Sequence, residues 1–82
     1  MKTLVDLYVP AISEHFDVQI PCFLTVGEIS TLLAEAVEEL SNHNYVSSKN
    51  ELLCFAEQNA LLKQEKTLDD YGVRNGDHLL LI

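Results

Sequence analysis

Residues 25–40 read TVGEISTLLAEAVEEL, and this stretch carries the long helical pattern of the chain. Its apolar side chains recur at the i, i+3, i+4 spacing that places them on one side of an α-helix: Val26, Ile29, Leu33, Val37 and Leu40. The opposite side carries the acidic residues Glu28, Glu35, Glu38 and Glu39. Because a helix of this length is marginal alone in water, we expect its apolar side to be buried against the rest of the chain.

The start of this helix is marked by a capping box. The Thr25 hydroxyl can accept from the Glu28 amide, and the Glu28 carboxylate can reach back to the Thr25 amide. Gly27 costs such a helix up to about 1 kcal/mol relative to alanine, so it needs a reason of its own.

Two segments with alternating apolar residues precede the helix. One side of segment 3–9 carries Val5, Leu7 and Val9, and one side of segment 15–20 carries Phe16, Val18 and Ile20. Alternation of this kind is typical of strands with one buried side. A proline follows each segment and ends it, because proline cannot donate to a strand ladder. We therefore predict an antiparallel hairpin with a turn at residues 11–14.

Short elements follow the helix. We predict a polar loop at 41–50, a strand at 51–57, a short strand at 60–63, a helical turn at 67–71, a tight turn at 75–76 and a last strand at 78–82. In strand 51–57, Leu53 and Phe55 are the inward residues. The last strand is apolar at nearly every position, so we expect it in the middle of the sheet, parallel to the first. This order predicts an α+β fold of the β-grasp type, a mixed sheet of about five strands with one main helix across it.

Length and composition fit one small folded unit. The chain has 82 residues, of which 48% are hydrophobic, so we expect a single domain over residues 1–82. No apolar run approaches the ~18 residues that span a bilayer, and Lys2 leads straight into a strand pattern without a cleavage site. We therefore expect no export signal and no membrane insertion. Cys22 and Cys54 are then reduced thiols of a cytoplasmic protein.

The formal charge of −8 restricts the partners. A phosphate backbone or an anionic lipid surface is bound by clustered lysines and arginines, whereas the five in this chain are scattered. We expect no nucleic acid. The acidity either favours a partner with a basic surface or only keeps the protein in solution.

Three segments resemble ubiquitin-like proteins. They are LCFA at 53–56, TLDDYGV at 67–73 and the ending LDDYGVRNGDHLLLI at 68–82. The whole chain is similar to the small bacterial EsaB/YukD family, in length, in its early strands and most specifically in this ending. The resemblance implies a ubiquitin-like fold in which Tyr71 packs on, or bonds to, backbone of the preceding loop and Val73 enters the core.

The same resemblance implies a function. Members of that family are cytosolic ubiquitin-like accessory or regulatory components of type VII (WXG100, Esx) secretion systems, and they are not enzymes. The alternatives are a covalent modifier or sulfur carrier, or a stand-alone adaptor. A modifier needs a flexible tail ending in Gly-Gly, whereas this sequence ends at Leu81-Ile82 inside the last predicted strand, so we expect no conjugation.

Catalytic and metal chemistry have little support in the sequence. Cys22 with His15 or His43 could form a thiol–imidazole pair, but no third orienting group is apparent. The histidines and cysteines lack the paired spacing of zinc ligands. We expect no cofactor, no metal and no catalytic residue. His78 is interpreted as a surface partner of the adjacent Asp77.

Binding surfaces are therefore the remaining candidates. If the sheet pairs as in ubiquitin-like domains, its side away from the helix carries Leu4, Asp6, Tyr8, Leu52, Cys54, Leu80 and Ile82. An apolar group on an open sheet is a candidate protein contact, and Cys54, Leu80 and Ile82 match the docking region common to that fold. A crowded sheet or a homodimer contact would explain the same residues. The acidic side of the helix is a second candidate, against the default of a solvated helix surface.

Overall fold

The structure, a computed structural model, describes residues 2–82 as a five-stranded sheet with one α-helix. The strands are β1 (Lys2–Val9), β2 (Glu14–Pro21), β3 (Leu53–Phe55), β4 (Ala60–Leu61) and β5 (His78–Leu81), and the helix is α1 (Val26–Leu40). Two short 3₁₀ turns lie at Ala56–Gln58 and Asp69–Tyr71.

The strand order is β2-β1-β5-β3-β4. The last strand, β5, lies parallel to β1 and antiparallel to β3, while the β1–β2 and β3–β4 pairs are antiparallel. The predicted hairpin, the central last strand and the β-grasp arrangement are therefore confirmed. In this central position Leu79 and Leu81 are buried on the inner side of the sheet, while Leu80 is half-buried on the other side.

The core lies between the inner side of the sheet and α1. The strands contribute Val5, Leu7, Val9, Ile20, Leu53, Phe55, Leu79 and Leu81, and the helix contributes Val26, Ile29, Leu33, Ala34 and Val37. One member of the predicted apolar stripe is not buried. Leu40 is 64% exposed, because it is the last helical residue and the stripe extends there beyond the packed core.

The predicted strand at 51–57 is shorter in the structure. Only Leu53–Phe55 is strand, with both ends of that segment facing inward as expected, and Ala56 begins a 3₁₀ turn. That turn ends at Asn59, whose backbone is left-handed with φ of 50°. The next strand is also shorter than predicted and ends at Leu61. Leu62 is buried in the core, and its amide still donates to the Leu53 carbonyl at 2.9 Å.

The helix start is attached to the loop at 62–68. The Thr25–Glu28 capping box is present, with 3.0 Å from the Thr25 amide to Glu28 Oε1 and 3.2 Å from the Glu28 amide to Thr25 Oγ1. The amides of Val26 and Gly27 donate to the carbonyls of Lys66 (2.7 Å) and Gln64 (2.9 Å). A Cβ at Gly27 would lie 3.1 Å from Gln64 Oε1, so the glycine permits this close approach.

The segment at 67–73 packs against the core. The Lys63 amide donates to the Tyr71 hydroxyl at 2.9 Å, Val73 is buried, and Gly72 ends the 3₁₀ turn with φ of 70°. These contacts confirm what the ubiquitin-like resemblance implies for Tyr71 and Val73. The Thr67 hydroxyl accepts from the Asp70 amide at 3.3 Å and so helps to fix the start of this turn.

A buried carboxylate organises the polar loop after the helix. Glu51 accepts from the Tyr45 hydroxyl (2.7 Å), the Ser48 amide (2.7 Å) and the Ser47 hydroxyl (3.3 Å). Burial disfavours the charged carboxylate, but these donors outweigh it and hold the pKa of Glu51 below its ordinary value. Burial and the bond to Glu51 raise the pKa of Tyr45. The sequence pattern predicts Glu51 only as the start of a strand.

We expect Glu51→Gln to lower the free energy of unfolding by about 1–3 kcal/mol at pH 7, because a charged acceptor of three donors is lost. A carboxyl with a lowered folded pKa stabilises above its unfolded pKa and loses that contribution as the pH falls. The difference in free energy of unfolding between variant and parent should therefore shrink as the pH falls below 4.5, the ordinary pKa of a glutamate. Urea denaturation at pH 7 and pH 3 measures both. The control is Glu65→Gln at an exposed position, where a change within about 0.5 kcal/mol is expected.

Candidate interaction surfaces

The side of the sheet away from the helix, here called the outer face, carries all six residues predicted for protein contact: Leu4, Tyr8, Leu52, Cys54, Leu80 and Ile82. Their neighbours along each strand are buried, which fixes their outward direction by the two-residue alternation of strands. All six are half-buried or exposed.

Three of the six lie side by side across the sheet. Tyr8 is paired with Leu80, and Leu80 is paired with Cys54. This outer row extends at both ends, because Tyr8 is paired with His15 and Cys54 with Leu61. The Tyr8 and His15 rings stack with centroids 4.4 Å apart. His15 and Leu61 were not selected from the sequence, since their place in the row depends on strand register.

Leu52 and Ile82 adjoin one side of this row. Their backbones exchange two hydrogen bonds, 2.7 Å from the Leu52 amide to the Ile82 carbonyl and 2.9 Å in the reverse direction. Both side chains are exposed. They extend the apolar surface of Leu80 and Cys54 by one further residue pair.

Leu4 does not belong to the same patch. Its carbonyl accepts from the Gly76 amide at 2.8 Å and its amide donates to the Asn75 side chain at 2.9 Å, at the opposite end of β1 from Ile82. The paired residues Asp6 and His78 lie between Leu4 and the outer row. The six predicted residues therefore form one group of five and one separate leucine, because strand direction, and not only outward orientation, sets their distance.

Charged side chains form a second row beside the first. His78 Nδ1 lies 2.6 Å from Glu57 Oε2, and His78 Nε2 lies 3.9 Å from Asp6 Oδ2. Asp6 Oδ1 lies 2.9 Å from His15 Nδ1, and Asp6 is paired with Asp17 on β2. The predicted His78–Asp77 pair is wrong, since Asp77 instead accepts from the Arg74 amide at 2.8 Å within the turn. The partner of His78 is instead Glu57, which lies 21 positions earlier in the sequence.

The bond to Glu57 raises the pKa of His78, with smaller contributions from Asp6 and Asp77, and the same bond lowers the pKa of Glu57. The histidine stabilises the fold below its ordinary value of 6.5 and loses this contribution as the pH rises through its raised folded pKa. The carboxylate contributes above 4.5 and loses this as the pH falls. The ion pair is therefore complete between those two values.

We expect Glu57→Gln to move the pKa of His78 down toward its ordinary value, because the strongest acceptor of its proton becomes neutral. Histidine ring resonances followed by NMR against pH measure this. The control variant is Glu65→Gln, which neutralises an exposed glutamate that does not contact His78 and should leave the His78 curve unchanged. An unchanged His78 curve would show that the ion pair does not form in solution.

The comparison with protein families decides the relationship. Residues 3–81 match the family described as the YukD protein of the WXG100 protein secretion system (Wss). The chain belongs to the YukD family. A comparison with curated proteins found no significant sequence match.

Solved structures similar to this YukD-family chain are ubiquitin-like domains. The ubiquitin-like domain of Plasmodium falciparum Dsk2 is 25% identical, with full coverage of both chains and a TM-score of 0.71. That of the Mycobacterium tuberculosis type VII secretion system protein EccD1 is 20% identical, covering 100% of this chain and 98% of that one, at 0.67. The EccD5 domain of Mycobacterium xenopi is 16% identical, covering 100% and 93%, at 0.73. These likenesses show the ubiquitin-like fold.

The acidic side of the helix is partly used for structure in this YukD-family protein. Glu28 caps the helix, and Glu38 accepts from the Ser47 amide at 2.9 Å, which fixes the following loop. Glu28, Glu35 and Glu39 are exposed, whereas Glu38 is half-buried. The four glutamates therefore do not act as one uniform solvated patch.

The thiols and imidazoles have separate partners. Cys22 Sγ lies 2.8 Å from Thr3 Oγ1, while His15 contacts Asp6 and His43 contacts Glu38. Within residues 2–82, no three histidine, cysteine or acidic side chains are grouped so as to hold a metal ion. In the same part of the chain, no helix has the length and apolar character needed to cross a bilayer.

Proposed function

We propose that this YukD-family protein is a non-catalytic, cytoplasmic protein-interaction module, folded as one unit, that acts as an accessory or regulatory component of a type VII secretion system. The observation that supports this most is the outer row of Tyr8, Leu80 and Cys54, with Leu52 and Ile82 beside it. These apolar side chains remain partly open to solvent on a sheet whose other side is packed. A patch of this kind suits a protein contact.

The charges beside the row favour one kind of partner surface. Asp6, Asp17 and Glu57 lie along the adjacent row, and the whole chain carries −8. We propose that the outer row supplies buried apolar area on docking, while the carboxylates attract a partner surface rich in lysine or arginine. A larger cytosolic secretion component, or the cytosolic part of a membrane-anchored one, would provide that surface.

The test is capture of a defined partner. Tagged protein is incubated with cytosolic and membrane fractions of the source bacterium, and bound proteins are identified by mass spectrometry at low and high salt. We expect to capture a type VII secretion component. High salt should release it, because the contacts of the carboxylates beside the outer row are electrostatic. Inspection of neighbouring genes for a WXG100 protein and an FtsK-like ATPase identifies the candidates in advance.

Two results would contradict the proposal. Intact-mass measurement after incubation with ATP and lysate should show no added mass, whereas an adduct or a thiocarboxylate would indicate a covalent modifier or sulfur carrier. Analytical ultracentrifugation should show a monomer at micromolar concentration. A stable homodimer that buries Leu80 would assign the outer row to self-association instead of secretion.

A further inference from the structure

The strand β2 forms a long open edge of the sheet. It has eight residues and pairs only with β1, while the strand at the opposite edge, β4, has two. Long edges present unpaired backbone groups that can template another strand, and proteins commonly shorten or cover them. Within residues 2–82, no segment pairs with the free side of β2.

The direction of the β1 backbone shows which β2 groups are free. Leu4 and Asp6 exchange hydrogen bonds with the β5 side, so the alternate residues Thr3, Val5, Leu7 and Val9 bond toward β2. In the observed register these pair with Ile20, Val18, Phe16 and Glu14. The amides and carbonyls of His15, Asp17 and Gln19 therefore point away from the sheet.

An apolar groove runs beside this edge, between β2 and α1. It has a volume of about 290 Å³ and is lined chiefly by Val18, Ile20, Leu24, Leu32, Leu33 and Ala36. Leu32 is 55% exposed and forms one wall of the groove. Phe23, 74% exposed, lies in the turn just before Leu24.

The groove and the edge lie in a part of the chain without lysine or arginine. Residues 3–48 contain neither, although they include seven carboxylates: Asp6, Glu14, Asp17, Glu28, Glu35, Glu38 and Glu39. Glu14 and Asp17 lie on β2 itself, and Glu28 and Glu35 lie on α1. The groove itself is lined by uncharged residues, but carboxylates lie on both sides of it: Glu28 beside Leu32 on α1, and Asp17 on the outer side of β2. Lys2 is paired with Pro21 at the end of the strand. A segment docked along the middle of β2 therefore meets an acidic rim.

We propose that β2 and the adjoining groove form a second docking surface, which takes an extended peptide segment of a partner protein with alternating apolar residues and basic flanks. The peptide adds to the sheet as a strand beside β2 and bonds to the free amides and carbonyls of His15, Asp17 and Gln19. Its alternate side chains lie over the groove, because side chains of an added strand alternate between the two sides of the sheet. Lysines or arginines at its ends contact the acidic rim. The surface shares His15 with the outer row but not Leu80 or Cys54, so variants at Gln19 and at Leu80 test the two surfaces separately.

The probe is a synthetic peptide with blocked ends, in which three valines alternate with threonines between two pairs of lysines. It is titrated into ¹⁵N-labelled protein and followed by NMR. We expect shifts at Val18, Leu32 and Ala36, and amide exchange at His15, Asp17 and Gln19 slowed by about ten-fold or more at saturation. The same peptide with glutamates in place of the lysines should bind at least about ten-fold more weakly.

Variants distinguish strand addition from non-specific binding of the peptide. Gln19→Pro removes an outward amide while leaving the bonds to β1, and should abolish binding, whereas Gln19→Thr keeps that amide and should bind normally. Ala36→Gln narrows the groove without changing β2, and should weaken binding by about ten-fold. It keeps the test decisive if Gln19→Pro fails to fold.

Several outcomes would overturn the inference. These are no slowing of the three β2 amides, equal binding of the lysine and glutamate peptides, or shifts confined to Leu80 and Cys54 on the outer row. Protection of the same amides that grows with protein concentration in the absence of peptide would assign the edge to a second copy of the chain instead.

Discussion

Replacing Leu33 by Asp is expected to unfold the protein at 25 °C. Leu33 is 6% exposed and lies in the middle of the buried side of α1. Its transfer from water contributes about 1.5–3 kcal/mol, and a carboxylate at the same place lacks the partners that a buried charge requires. We expect a loss of about 5 kcal/mol or more in the free energy of unfolding. This loss is of the same size as the total stability of about 4–12 kcal/mol expected for a chain of this length.

The adjacent residue supplies the control for this experiment. Leu32→Asp makes the same chemical change one position earlier, where the side chain is largely exposed, and should cost no more than about 1 kcal/mol. Circular dichroism and urea denaturation of both variants measure the difference. Equal losses at the two positions would contradict the assignment of the buried side of the helix.

The elements that the sequence predicted well are those set by local patterns. The Thr25–Glu28 box marked the helix start correctly, and the apolar alternation of β1 identified its buried side. The parallel position of β5 beside β1 followed from its nearly continuous apolar run. The exposure of Leu40 shows the limit of such reasoning, since periodicity gives the side of a helix but not where the opposing surface ends.

What the sequence did not reveal depends on contacts between distant segments. The reason for Gly27 is the Gln64 backbone and side chain, which lie 37 positions further along the chain. The partner of His78 is Glu57, which the 3₁₀ turn after β3 brings to the start of β5. Residues with the right chemistry were visible, but the register that joins them follows only from the assembled sheet.

The candidate surface shows the same division between local pattern and assembly. Alternation placed Leu4 and Tyr8 on the side of β1 away from the core, and ubiquitin-like pairing of the sheet placed Leu80 with them on the outer face. Only strand direction showed that Leu4 lies apart from the other two, beyond Asp6 and His78. The docking proposal therefore concerns the group around Leu80 and not the whole outer face.

Leu80→Asp is expected to leave the fold intact and to weaken capture of the type VII secretion partner by at least about ten-fold, equivalent to 1.4 kcal/mol. Leu80 lies between Tyr8 and Cys54 in the outer row and is only half-buried, so the new carboxylate remains in contact with water. It removes the central apolar contact of the row and puts a carboxylate where the apolar part of the partner surface would have to pack. Circular dichroism, urea denaturation and quantitative capture are measured on the same preparation.

The matched control for this substitution is Leu40→Asp, because Leu40 is an exposed leucine on the helix end, away from the outer face. Both variants carry the same added charge, so an electrostatic effect on the whole protein would weaken capture equally. A loss confined to Leu80→Asp would instead place the contact on the outer row. Normal capture by a folded Leu80→Asp protein would remove the outer row from consideration and leave the β2 edge as the surface to examine, since β1 separates that edge from Leu80 on β5.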